Sequence, residues 1–104
     1  IKKKMVKYAV YVLLLEDKRL YVGMTKQWRL QTRFEEHLDR NCFTTRWTSK
    51  YPVLKKIKVY PSMLFLQAKQ FEHQVCEALM KEYGLDSVRG GRWKMATEGP
   101  LEKW

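Results

Sequence analysis

The sequence predicts a small α/β (α+β) domain in which a three-stranded antiparallel sheet is flanked by helices. Three observations carry this expectation. The run Tyr8 to Leu15, Tyr-Ala-Val-Tyr-Val-Leu-Leu-Leu, is rich in β-branched and aromatic residues and too short for a core helix, and Leu20 to Met24 makes a second short strand beyond a charged break. Residues Arg29 to Asp39 carry Leu30, Phe34 and Leu38 at helical spacing. A longer stretch, Gln67 to Tyr83, repeats apolar residues at Ala68, Phe71, Val75, Ala78 and Leu79.

Each element has a local reason. Glu16-Asp17-Lys18-Arg19 separates the first two strands and folds them into a hairpin. If its loop holds an odd number of residues centred near Glu16, Tyr11 and Tyr21 face the same side, and directly opposed they would have Cα atoms roughly 4.5 to 5.5 Å apart. In the first helix Arg33 and His37 are four residues apart, so they stack beside the apolar stripe. The segment Arg40 to Tyr51, polar with Phe43 and Trp47 interspersed, reads as a connecting loop. After Pro52, the pattern of Val53, Ile57 and Val59 against Lys56, Lys58 and Tyr60 predicts a third strand, half exposed at a sheet edge. Pro61-Ser62 ends that strand and opens the long helix, which Gly84 stops. Leu85 to Trp93 reads as a loop in which Arg89 and Arg92 flank Gly90-Gly91. Two accounts fit it: a backbone that comes close to a phosphate, or a tight turn with solvated charges. Residues Lys94 to Trp104 read as irregular or as leading to a further segment, and the 104 residues as one domain.

One residue breaks the pattern of the long helix. Glu72 falls in the inward stripe beside Phe71 and Cys76, and a buried carboxylate is costly unless positive charge meets it. The chain has 21 Lys and Arg against 11 Asp and Glu, a formal charge of +10. A metal ion or an arginine cluster is the expected counter-charge for Glu72, and a polyanion, nucleic acid, the expected partner of the surface. With 45% hydrophobic residues the chain can bury a core, which excludes a disordered basic tail. Cys42 and Cys76 lack partners at metal-finger spacing, and Cys76 falls in the helical stripe as a reduced thiol would. These features, with no segment long enough to span a membrane, point to a cytoplasmic or nuclear, reducing location and to no membrane partner.

Ala9-Val10-Tyr11 on the first strand, Tyr21-Val22-Gly23 on the second, Arg33 and His37 on a helix and Glu72 on a later helix form an ordered set. In order and spacing this set resembles the GIY-YIG nuclease family, from about Tyr8 to Trp93. The chain departs from that pattern at Ala9, where the family usually has glycine, and in lacking a clear counterpart of a late polar residue, for which Ser87 is the nearest candidate. The resemblance implies a metal-dependent endonuclease domain that hydrolyses DNA phosphodiester bonds. Its catalytic residues would be Tyr11, Tyr21, Arg33, His37 and Glu72, with Tyr11 as general base and Glu72 holding one Mg²⁺ or Mn²⁺.

A hydrolysed phosphodiester needs a base, charge neutralisation and a stabilised leaving oxygen, and these residue types supply them. A hard divalent cation keeps several waters, so one carboxylate with a substrate phosphate can hold it. A phenol becomes a base near neutral pH only where positive charge lowers its pKa from about 10. DNA contact is expected from Lys26, Arg29, Arg46, Arg89 and Arg92, with Trp28 and Trp47 either stacking on unpaired bases or buried in the core. Other readings are a non-catalytic nucleic-acid-binding module of the same fold and a cationic protein-interaction domain. A second domain or partner protein would supply specificity.

Overall fold

The computed structural model describes residues 6–39 and 46–90. The expected hairpin forms from β1 (Tyr8–Leu15) and β2 (Leu20–Lys26), antiparallel across a short 3-10 turn at Glu16–Lys18. A second 3-10 turn at Gln27–Arg29 leads into α1 (Leu30–Leu38). Then follow α2 (Arg46–Lys50), β3 (Val53–Met63), α3 (Phe65–Tyr83) and β4 (Val88–Gly90). The sheet has the order β3-β1-β2-β4, so β3 is an edge strand as its alternation predicts.

The class is mixed α/β as expected, with a correction in the strand count: the sheet is four-stranded. The added strand, β4, lies in the segment read as a loop and pairs parallel to β2, with Leu20 opposite Val88 and Val22 opposite Gly90. Gly90 fits because its φ is 147° and a Cβ there would strike the Val22 carbonyl. A second correction concerns residues 40–51. Part of that expected loop is α2, which sets Trp47 fully buried, with its indole N–H donating to the Leu20 carbonyl at 2.9 Å.

A third correction is the end of β3, which runs past Pro61 to Met63. The pairing with β1 shifts register between Tyr8 and Val10, where Pro61-Ser62 bulge out. An edge strand tolerates a proline that cannot donate. Ser62 adopts φ 66° there, and its N–H donates to the Gln27 side-chain oxygen at 2.7 Å.

Helix α3 begins where the Gln67 side chain accepts from the Leu64 N–H, and Gly84 ends it at φ 103° with its N–H on the Met80 carbonyl. Its inward stripe is Ala68, Glu72, Cys76 and Met80, with Phe71, Val75 and Leu79 half-buried, whereas Ala78 is exposed. This stripe packs on the even-numbered residues of β1 and β2, among them Val10, Val12, Leu20 and Val22. The opposite face of the hairpin carries Tyr11, Leu13, Leu15 and Tyr21, and meets Leu30, Phe34, Trp47 and Tyr51. Among the described residues no helix is long and apolar enough to cross a membrane. Cys76 is a buried free thiol, and burial pushes its pKa up to about 12.

Candidate active site

Hairpin register decides how the two tyrosines meet. The loop is odd, but it is centred on Asp17 and not on Glu16, so Tyr11 pairs with Gly23 and Tyr21 with Leu13. The phenols therefore share a face as neighbours offset by one pleat, not directly opposed; their ring centroids are 6.4 Å apart. Gly23 is what lets Tyr11 lie across the hairpin, because a Cβ at that position would overlap the phenol. Ala9, which stands where the resemblance implies glycine, is fully buried, pairs with Thr25 and is not among the residues of positive φ.

Helix α1 adds a nitrogen and a cation. His37, on its last turn, is buried and hydrogen-bonded to the Tyr11 hydroxyl, with Nε2 2.9 Å from Oη. The imidazole is also 5.4 Å from the Tyr21 ring, closing a triangle of three rings. Burial, and then the Arg33 charge, lower the His37 pKa to about 4, so the ring is neutral at pH 7. Burial raises the Tyr11 phenol to about 12 despite the neighbouring Arg33 guanidinium, which pulls the other way. Tyr21 is raised further, by burial first and then by Tyr11 and Glu72. Both phenols are therefore neutral at rest.

Arg33 is held by Glu36 one turn on, Nη1 to Oε1 at 3.2 Å, and the other carboxylate oxygen takes Arg29 Nη2 at 3.4 Å. Glu36 thus fixes two guanidiniums on one edge of α1. An open cavity of about 860 Å³ lies between these elements, and Tyr11, Tyr21, Arg33 and Glu72 all line it. Glu72 is 7% exposed, so a carboxylate lies in the cavity wall with little water of its own. Among the described residues no group of three or more His, Cys, Asp or Glu converges. Glu72 is the carboxylate among the described lining residues, so a hard divalent cation, if bound, would take one protein carboxylate and leave its other positions to water and substrate.

Sequence reasoning missed several lining residues: Tyr8, Met24, Thr25, Phe65, Lys69, Gln70 and His73. His73, one residue past Glu72, borders the cavity with its Nε2 3.3 Å from Glu77. The spacing Phe65, Lys69, Glu72 is a signal that was available, since residues four and three apart share a helix face.

The expected DNA-contacting cations separate. Lys26 is exposed and Arg29 is half-buried on its ion pair with Glu36. Arg89 is corrected: its place is inside the fold and not on a loop surface, fully buried, with Nη1 donating to the Val88 and Leu85 carbonyls and the guanidinium 4.7 Å from the Trp47 ring centroid. Arg46 lies in α2, and Arg92 lies outside the described residues. Trp28 is 74% exposed, whereas Trp47 is core. Ser87 is engaged through its backbone, its carbonyl accepting from Leu20 N–H, and does not line the cavity. Compared with family models, curated proteins and solved structures, the chain finds no match, so the geometry of the cavity carries the functional reading.

Proposed function

We propose that this chain is a metal-dependent endonuclease domain of the GIY-YIG type, hydrolysing DNA phosphodiester bonds. The single observation that carries the reading is the convergence of Tyr11, Tyr21, Arg33 and Glu72 on one cavity, with His37 bonded to Tyr11. A phosphate entering it meets Arg33, whose guanidinium is pre-oriented by Glu36 to offset charge on the non-bridging oxygens. Glu72 would hold Mg²⁺ or Mn²⁺, which when bound supplies further neutralisation at the phosphate and the leaving oxygen.

The base follows from the pKa directions. Tyr11 is protonated at pH 7, so it acts as a relay: as it takes the proton of the attacking water, its own proton passes to His37 Nε2. A neutral imidazole is free to accept, and the lowered His37 pKa keeps it neutral. Tyr21 borders the same space and orients the water. Lys26, Arg29 and the exposed lysines of β3, Lys55 and Lys58, supply the sequence-independent attraction for DNA, with a second domain or partner protein giving specificity.

The test is incubation with supercoiled plasmid at low salt. Wild type with Mg²⁺ is expected to nick and linearise it, excess chelator to stop cutting, and Glu72→Ala to bind DNA without cutting. Full cleavage by Glu72→Ala, or by wild type in chelator, contradicts the metal role of Glu72. Salt-sensitive binding with no cleavage under any divalent cation leaves the alternative, a nucleic-acid-binding module. Affinity flat in log-salt removes the nucleic-acid reading altogether.

A further inference from the structure

The reacting groups line only part of the cavity. A phosphate and a hydrated cation amount to about ten water-sized groups, on the order of 300 Å³. The cavity is about 860 Å³. The remainder is lined by a different kind of residue: Tyr8, Met24 and Phe65, with Lys69 and Gln70. Phe65 is 46% exposed and meets Tyr8 edge-on, ring centroids 5.2 Å apart, while the Lys69 amine lies 5.7 Å from the Phe65 ring centroid. An exposed aromatic beside a cation is the combination that holds an unpaired base together with its phosphate. Phe65, Lys69 and Glu72 occupy one face of α3, and the rise from Phe65 to Glu72 is about 10 Å. That is about the span of a nucleotide from phosphate to base edge.

We propose that this part of the cavity is a nucleobase subsite, in which the base adjoining the scissile phosphate is taken unpaired against Phe65 and Tyr8. The position of that phosphate rests on the nuclease reading. The formal charge of +10 selects a polyanionic occupant, and the aromatic wall selects one that carries π faces. Inside a duplex both faces of a base are covered by its neighbours, so it enters only after unstacking, at a cost of a few kcal/mol. The substrate class is therefore DNA with an unpaired nucleotide at the cut: single-stranded, gapped or branched. Exposed Trp28, on the turn between cavity-lining β2 and α1, offers a further stacking surface for such a strand.

The experiment measures binding of 2-aminopurine-labelled oligonucleotides to the whole chain in excess EDTA, so that no cleavage intervenes. The single strand is expected to bind about tenfold more tightly than the matching blunt duplex, with quenching of 2-aminopurine fluorescence on stacking. Phe65→Ala and Phe65→Leu are both expected to weaken single-strand binding about tenfold and to leave duplex binding within about twofold. The leucine variant keeps apolar bulk against Tyr8 while removing the π face, so a far-UV spectrum like wild type separates lost stacking from lost folding. Equal affinity for the two DNA forms, or a leucine variant that binds the single strand like wild type, overturns the subsite. Failure of the nuclease reading is distinguishable: plasmid stays intact with Mg²⁺ while the single-strand preference and the Phe65 effect persist.

Discussion

The two faces of the β1–β2 hairpin are built from alternate residues of the same strands, and they differ in chemistry. Toward α3, Val10, Val12, Leu20 and Val22 pack on Ala68, Cys76 and Met80, none of which carries a side-chain oxygen or nitrogen. On the other face Tyr11 and Tyr21 meet His37, and Trp47 meets Arg89. The first face asks only for volume and apolarity, so its members are exchangeable within packing limits. The second depends on where individual polar atoms sit. Glu72 joins the two, since it belongs to the inward stripe of α3 yet reaches the cavity lined by the tyrosines.

The sharpest way to break this division compares two arginines. Arg89→Ala removes a fully buried guanidinium and leaves two carbonyls and a cavity beside Trp47, so a loss of about 3–5 kcal/mol in urea melts is expected. Arg33→Ala is expected to leave the melt almost unchanged and to lower the single-turnover cleavage rate about 10²-fold or more. A stable Arg89 variant would move that residue out of the structural role, and a fully active Arg33 variant would remove transition-state stabilisation from α1.

A second pair separates packing from placement. Met80→Ala should cost about 2–5 kcal/mol in stability while the folded fraction cleaves at the wild-type rate. Gly23→Ala should do the reverse. The added methyl displaces the far end of a side chain, the Tyr11 phenol, and with it the 2.9 Å contact to His37, so the rate should fall by about 10²-fold with a melt near wild type. Loss of folding in Gly23→Ala with an intact specific rate would show that the glycine serves the strand and not the site.

A smaller effect reads the same face through pH. Unfolded, His37 takes a proton near pH 6.5; folded, only near pH 4. Between these values the unfolded chain binds more protons, so stability rises with pH through this window and is lost as pH falls through it, by about 1.4 kcal/mol per pH unit at most. His37→Gln should flatten that part of the stability profile, as followed by thermal melts from pH 4 to 7. An unchanged slope would mean that other groups set the acid limb.

The hydrocarbon face was legible in the sequence because periodicity alone specifies it: the runs from Tyr8 and Leu20 and the stripe from Ala68 to Leu79 needed no knowledge of their partners. Of the candidate cavity, Tyr11, Tyr21, Arg33 and Glu72 were legible in the sequence, and its geometry and the rest of its lining were not. Glu72 stood out as a carboxylate on an apolar stripe, but the tyrosine pairing turned on whether the loop centred on residue 16 or 17, and four consecutive charged positions carry no signal for that choice. Strand β4 was missed because three residues beside glycine read as a loop until a distant strand pairs with them. Helix α2 was missed because five residues are too few for a period, and Arg89 because a cation is placed at the surface by default while Trp47 and two carbonyls hold it inside.

The most direct measurement pairs the single-turnover cleavage rate with the melting temperature for Tyr11→Phe. That substitution keeps the ring over Gly23 and removes only the hydroxyl bonded to His37. The account predicts a rate at least about 10²-fold below wild type, a larger loss than for Tyr21→Phe, with the melting temperature held. Wild-type rate is expected to rise with pH, and that rise should be lost or shifted in the variant. A Tyr11→Phe protein that cuts DNA at the wild-type rate would contradict it and leave both faces of the hairpin as packing.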